Sequence, residues 1–436
     1  MIRETRSVRE YLFMALISAA VTYLLVPLVR RFAIRIGAMP EIRDRDVHTT
    51  PTPRLGGLAM YGGLVVGLLL ADRLTHSSEA LAGTGAQVVP ALIIAGGLIT
   101  FTGFLDDWWG MDAFIKLAGQ VAAAGVLVFF GMRLTSIPLP EAWGGPTSVD
   151  YTLSTIITIL VVVVTINAVN FVDGLDGLAA GIVCIAAMAT WVYSIIISQK
   201  ISGSNITATA AIVAVLIGTC LGFLPHNFHP AKIFMGDTGA MLIGLVLASS
   251  IVTVTPVDTT AIVDMNEFPV LVPLLIPAAV LVLPLIDLIT AVIRRTSQGL
   301  SPFAPDRGHL HHRLMDIGHS HRRSVLIMYA WTFLFSFLVV GLSWVGVPVL
   351  MFPAVIVLAL AVLVLMAMPR WRGRGGVHAA TPDNPDDDGG PPTGPMPPIL
   401  PEDPQVKRQA PPSGGASRER ASAEGNPGIP VFPSRS

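Results

Sequence analysis

The chain has 436 residues, of which 52% are hydrophobic and only 13% charged, and its mean hydropathy is +0.66. A soluble domain carries about 25% charged residues, so this chain is not an ordinary water-soluble globule, and its apolar content equally excludes a disordered protein. The 28 Lys and Arg against 29 Asp and Glu leave a formal charge of -1, with no basic excess to suggest nucleic acid as a partner. Cys184 and Cys220 both lie inside apolar runs and cannot define a disulfide framework.

Apolar runs of about 18 residues or more read as membrane-spanning helices. Eleven occur: about 11–32, 56–74, 87–105, 113–132, 151–171, 177–198, 206–224, 239–256, 269–291, 325–345 and 347–368. Long runs separated by Gly/Pro breaks favour an all-α polytopic protein over a barrel, whose strands would be about 10 residues of alternating polarity. Arg3, Arg6 and Arg9 precede the first run as in a secretory leader. That run is too long for a leader, and no small-residue cleavage site follows it before Arg30 and Arg31, so it reads as a retained helix.

With eleven helices the termini lie on opposite sides. One set of loops, with the start of the tail, carries 17 Lys and Arg against 6 on the other. The positive-inside rule makes the first set cytoplasmic, with the N-terminus outside and the C-terminus inside. From about residue 369 the sequence becomes rich in Pro, Gly, Asp and Ser and cannot bury a core. Residues 1–368 therefore read as a transmembrane domain, in which any catalytic site must lie, and 369–436 as a disordered cytoplasmic tail.

The rare polar residues gather in five loops, all on the cytoplasmic side, where each needs a reason at a membrane helix end. Asp106 and Asp107 are adjacent in FLDDWWGMD, with Asp112 and Lys116 beyond; two such carboxylates repel unless a cation lies between them or one is protonated. In NAVNFVDGLDGL, Asn167, Asn170, Asp173 and Asp176 recur every third residue, roughly one helix face, until Gly174 and Gly177 break the helix. In PHNFHPAKIFMGDTGA, Asp237 precedes an apolar helix, where it could cap the N-terminus or ligate Mg²⁺; Asn227, Lys232 and Phe234 could hold a base or a phosphate.

The fourth loop, SPFAPDRGHLHHRL, places His309, His311 and His312 beside Arg307 and Arg313. Without a Cys or HExxH pattern this reads as a phosphate-facing basic patch rather than a zinc site, with His319 and His321 as surface residues. The fifth is the loop from Met39 to Gly57, shaped by Pro51, Pro53, Gly56 and Gly57, where Arg54 could meet an anionic lipid head. Carboxylates for a metal and cations for a diphosphate, at a membrane surface where a nucleotide can meet a lipid phosphate, spell phosphoryl transfer. An ion-coupled transporter is the alternative of another class, but transporters place their sites near the bilayer midplane rather than at helix ends on one side.

DDWWGMD, NAVNFVDGLDGL, PAKIFMGDTGAMLIG and PDRGHLHHRL, in this order, resemble the polyprenyl-phosphate N-acetylhexosamine-1-phosphate transferases over about residues 15–368. The resemblance implies transfer of a sugar-1-phosphate from a UDP-sugar to undecaprenyl or decaprenyl phosphate, releasing UMP, with Mg²⁺ (or Mn²⁺) as cofactor, the lipid bilayer as environment and a homodimer as a state known in the family. Pro305-Asp306-Arg307 followed by His309-Leu310-His311-His312 is similar to the WecA/TagO-like branch, which uses UDP-N-acetylglucosamine. The MraY-like branch, which uses UDP-N-acetylmuramoyl-pentapeptide, tends to carry three contiguous histidines.

By motif match the resemblance implies Asp237 as metal ligand with Asp107 assisting, and Asp106 as the base toward the lipid phosphate. It implies Asn170, Asp173 and Asp176 in nucleotide or metal positioning, and Asn227 and Phe234 near the uracil and diphosphate. Arg307, His309, His311 and His312 fall to the sugar and phosphate loop, with His311 counted as catalytic and Lys116 and Arg54 as substrate-binding. A second lysine of the family's Asp-pair motif is replaced here by Gly110 or Met111.

Overall fold

The computed structural model describes residues 2–39, 52–137, 147–198, 203–255, 296 and 320–342. All belong to one compact unit, Met1–Arg372. Among them run ten helices: α1 (Ile2–Arg35), α2 (Gly56–Ala71), α3 (Thr75–Gly83), α4 (Val88–Trp109), α5 (Ala113–Phe129), α6 (Tyr151–Val172), α7 (Leu178–Ser198), α8 (Ser204–Asn227), α9 (Gly236–Val254) and α10 (His321–Leu342). Two short strands, β1 (Ser136–Ile137) and β2 (Thr147–Ser148), pair antiparallel between α5 and α6, with Ser136 opposite Ser148.

Among the described residues, six helices are long and apolar enough to cross a membrane, and the α2–α3 pair makes up to seven, so the protein is a helical, multi-pass membrane protein. The expected single span over 56–74 is replaced by two helices bent at 93°. The reason lies far along the chain: Glu10 of α1 accepts hydrogen bonds from the backbone of His76 and Ser77 and from the Ser77 hydroxyl, which fixes a new helix start at Thr75. α5 stops at Phe129, short of the expected 132. The expected spans 269–291 and 347–368 and the tail lie outside the described residues.

α9 is the axis of the bundle. Almost every residue from Thr238 to Val254 is buried, and α2, α4, α6 and α8 pack around it. Small residues allow this closeness. A Cβ on Gly57 of α2 or Gly103 of α4 would overlap the backbone at Thr238–Gly239, and one on Gly244 would meet Ile166 of α6. The hydroxyls of Ser249 and Thr253 donate to carbonyls one turn back, so the buried helix leaves them satisfied. A second inner helix, α8, packs against α1, α2 and α7, and α10 packs against α7. Because α9 begins at Gly236, the centre of the bundle opens at the end where α4 and α6 finish and α2 and α5 begin.

Candidate active site

Among the described residues, side chains from the first three sequence clusters meet at that open end. Asp237, in the first turn of α9, offers both oxygens to neighbours: Oδ2 accepts from Lys116 Nζ of α5 at 2.6 Å, and Oδ1 accepts from Asn170 Nδ2 of α6 at 2.6 Å. Lys116 also donates to Asp106 Oδ2 of α4 at 2.9 Å. One ammonium therefore bridges two carboxylates that come from sequence positions 131 apart, and all three side chains remain partly open to solvent. The other oxygen of Asp106 accepts from the Met111 backbone N–H at 2.7 Å, which closes the turn after α4 and aims this carboxylate at α5.

Asp107 faces the other way. Its Oδ1 accepts from the Asp237 backbone N–H at 3.1 Å, and its Oδ2 accepts from the Thr238 N–H at 2.9 Å and the Thr238 hydroxyl at 2.6 Å. These are groups that an α-helix N-terminus leaves without intrahelical partners, so Asp107 caps α9 from another helix. Gly236, at φ 68°, makes room for it, because a Cβ there would overlap the Asp107 carboxylate. The sequence allows Asp237 to cap its own helix, but the structure gives that task to Asp107 and leaves the Asp237 side chain free to face Lys116 and Asn170.

Asp173 ends α6 and is half-buried beside this group. Burial pushes its carboxyl up to about 8, helped by the negative charges of Asp237 and Asp107 and opposed by Arg54. At neutral pH it is therefore a hydrogen-bond donor. Arg54 is exposed, and the residue after it, Leu55, is fully buried in the left-handed region at φ 82°, a strained position for a side chain of this size. The loop before α2 then zips to the loop before α9: Phe234 N–H donates to the Pro53 carbonyl, and the Gly56 and Gly57 N–H groups donate to the Phe234 and Met235 carbonyls.

Asp176 and Asn227 do not join the carboxylate group. They organise the adjoining loop. Asn227 is buried, accepts from Gly177 N–H at 3.0 Å and donates to the Ile233 carbonyl at 3.0 Å. Asp176 is buried, and its Oδ2 meets His229 Nδ1 at 2.8 Å and the Ala231 N–H at 3.2 Å. The Asp176 N–H donates to His321 Nε2 at 3.1 Å, and the His229 and His321 rings stack with centroids 4.3 Å apart. His321 is thus a buried brace from α10, not the surface residue that its Arg-rich neighbourhood suggests. Asp176, His229 and His321 are close enough to invite a metal assignment. His229 Nδ1 already meets the Asp176 carboxylate and His321 Nε2 already accepts a backbone N–H, so the trio reads as a hydrogen-bonded strut. Arg307, His309, His311 and His312 lie outside the described residues.

Sequence reasoning passed over three features: the Thr238 hydroxyl, the His229–His321 strut and Gln120. The last carried a usable signal, because Gln120 lies one turn from Lys116 in an otherwise apolar helix.

A membrane-embedded bundle whose carboxylates and lysine converge at one end has counterparts among known proteins. The glycosyl transferase family 4 model matches residues 89–255, which run from α4 to the end of α9. The decaprenyl-phosphate N-acetylglucosaminephosphotransferase of Mycolicibacterium smegmatis is 43% identical over 332 residues, 76% of this chain and 81% of that protein. The Mycobacterium tuberculosis protein of the same name is 42% identical over the same shares. A Bacillus subtilis protein named "Probable undecaprenyl-phosphate N-acetylglucosaminyl 1-phosphate transferase" is 32% identical over 74% of this chain and 82% of its own length. The chain belongs to the polyprenyl-phosphate N-acetylglucosamine-1-phosphate transferase family.

Proposed function

We propose that this protein transfers N-acetylglucosamine-1-phosphate from UDP-N-acetylglucosamine to a polyprenyl phosphate, undecaprenyl or decaprenyl, at the cytoplasmic face of a bacterial plasma membrane. The observation that carries the reading is the Lys116 ammonium held between Asp106 and Asp237 at one end of an apolar bundle. A pair of carboxylates that already accommodates a cation suits a hard divalent ion, because Mg²⁺ and Mn²⁺ favour oxygen ligands together with phosphate. Asp237 is the side chain that would hold it, with Asp107 behind it as the cap of α9 and Asp106 beside it as the base. When bound, such an ion neutralises the diphosphate of the donor.

The chain's own groups do the rest. Asp106 accepts the proton of the lipid phosphate. An oxygen of that phosphate then attacks the β-phosphorus of the UDP-sugar, and the bond from that phosphorus to the UMP oxygen breaks. Lys116 and Arg54 balance charge on the phosphates, Asn170 fixes the Asp237 carboxylate, and protonated Asp173 donates to an acceptor oxygen. Arg307, His309, His311 and His312 are assigned to the sugar and its phosphate, and Asn227, Asp176 and Phe234 to shaping the nucleotide loop. Eleven spans, an outer N-terminus and an inner C-terminus complete this reading.

A panel of radiolabelled UDP-sugars with the purified protein and polyprenyl phosphate tests it. The expected result is UMP release with label moving from UDP-N-acetylglucosamine into lipid. Acceptance of UDP-N-acetylmuramoyl-pentapeptide alone would assign the other branch, and absence of UMP release would return the transporter. Label trapped on the protein without lipid phosphate would replace direct attack by a covalent route.

A further inference from the structure

α5 is the least embedded helix of the site. Phe114, Ile115 and Phe129 are exposed on it, and its buried positions near the site are small apart from Gln120. Apolar contact with lipid or with alanines is non-directional, so it does little to fix the height or rotation of such a helix. Two polar side chains one turn apart supply direction. The first is Lys116. The second is Gln120, 1% exposed, which forms a reciprocal amide pair with Asn167 of α6. Asn167 Nδ2 donates to Gln120 Oε1 at 2.6 Å, and Gln120 Nε2 donates to Asn167 Oδ1 at 3.3 Å. Asn167 Nδ2 also donates to the Val163 carbonyl at 2.8 Å, and Gln120 Nε2 lies 3.6 Å from the sulfur of Met241 on α9.

The same three helices therefore contribute two stacked layers. The upper layer is Lys116, Asn170 and Asp237, and the lower, one turn deeper, is Gln120, Asn167 and Met241. α5 packs on α4 and α6, and it reaches α9 through these side chains. The pair joins buried Gln120 to Asn167, which is exposed on α6; one geometry satisfies its donors, and a slide of α5 by a fraction of a turn breaks it.

We infer that Gln120 and Asn167 are a positioning pair: they set α5 against α6 so that the Lys116 ammonium meets Asp106 and Asp237. The inference rests on the proposed phosphosugar transfer, since that reaction supplies its kinetic readout. The test uses the full chain in detergent with Gln120→Met, Asn167→Leu, the exchanged pair Gln120→Asn/Asn167→Gln, and Gln120→Met placed in a Lys116→Met background. Each single variant should lower kcat about 10- to 100-fold, the range expected of a misplaced catalytic group, while KM for UDP-N-acetylglucosamine stays within about 3-fold. The exchanged pair, which keeps the total reach, should recover most of the loss. In the Lys116→Met background, Gln120→Met should cost nothing further. Without reference to activity, hydrogen exchange across Ala113–Phe129 should rise in Gln120→Met while α7 and α8 stay protected.

Unchanged kcat in the single variants, the same loss in both backgrounds, or exchange raised throughout the bundle would each overturn the inference. A wild-type protein that releases no UMP would instead overturn the proposed function, and the exchange measurement would still decide the pair.

Discussion

The two sides of the active site are built on different principles. On the α2–α4–α9 side, helices touch through backbone: Gly57 and Gly103 sit against Thr238–Gly239, and Asp107 caps α9 directly. On the α5 side, contact with α9 runs through the long side chains Lys116 and Gln120. Glycine contacts leave no slack, because any added atom must displace main chain. Long side chains tolerate small shifts but lose their geometry in steps, one hydrogen bond at a time. The rigid side fixes where the Asp237 carboxylate stands, and the adjustable side brings it a cation.

The contrast is tested first, and with the largest effect, at the carboxylate both sides share. Asp237→Asn should lower UMP release by about 1,000-fold or more, with the thermal midpoint in detergent close to wild type. A variant with normal turnover would remove Asp237 from the centre of the site. Next comes the rigid side. Gly103→Val inserts a branched side chain against Thr238 and should cost about 3 kcal/mol or more, read as a lowered midpoint and a poor yield of folded protein. If it folds as wild type, the backbone contact is softer than described. Thr238→Val removes one hydroxyl from the cap while keeping its shape; about 1 kcal/mol of stability and a roughly 10-fold loss of kcat are expected.

The last effect concerns pH and is read in stability alone. Asp173 is held at about 8, above its unfolded value near 3.9, so the folded state keeps a proton that the unfolded chain has lost over the interval between them. Stability therefore falls with rising pH across roughly 4 to 8 and levels above. Asp173→Asn has no such titration, and after allowance for solvent screening it should gain about 2 kcal/mol on wild type across that interval in paired thermal melts. A difference that does not vary with pH would mean that Asp173 ionises normally.

Much of this was legible in the sequence, for a physical reason. In an apolar chain each carboxylate or amide at a helix end stands out, and Asp106, Lys116, Asn170, Asp173 and Asp237 do converge. The helices with long uniform runs, α4, α6, α7, α8 and α9, lie where hydropathy puts them. What stayed hidden depends on partners far along the chain. The break at Asp72–Leu74 is fixed by Glu10, the cap of α9 by Asp107, and the burial of His321 by Asp176, contacts that no local window contains. Asp107 shows the limit best, because adjacency to Asp106 suggests a shared role while a helical turn of about 100° per residue sends the two side chains in different directions.

The cap that Asp107 places on α9 also constrains how such proteins can be recombined. The end of α4 and the start of α9 behave as one module split across 130 positions: Gly103 and Asp107 on one segment, Gly236 and Thr238 on the other. A chimera that imports residues 88–109 from another protein should keep its fold only if the donor brings both a carboxylate at 107 and no side chain at 103, or if residues 236–239 travel with it. Exchange of α5 alone should be more forgiving, provided the lysine and the glutamine arrive four residues apart.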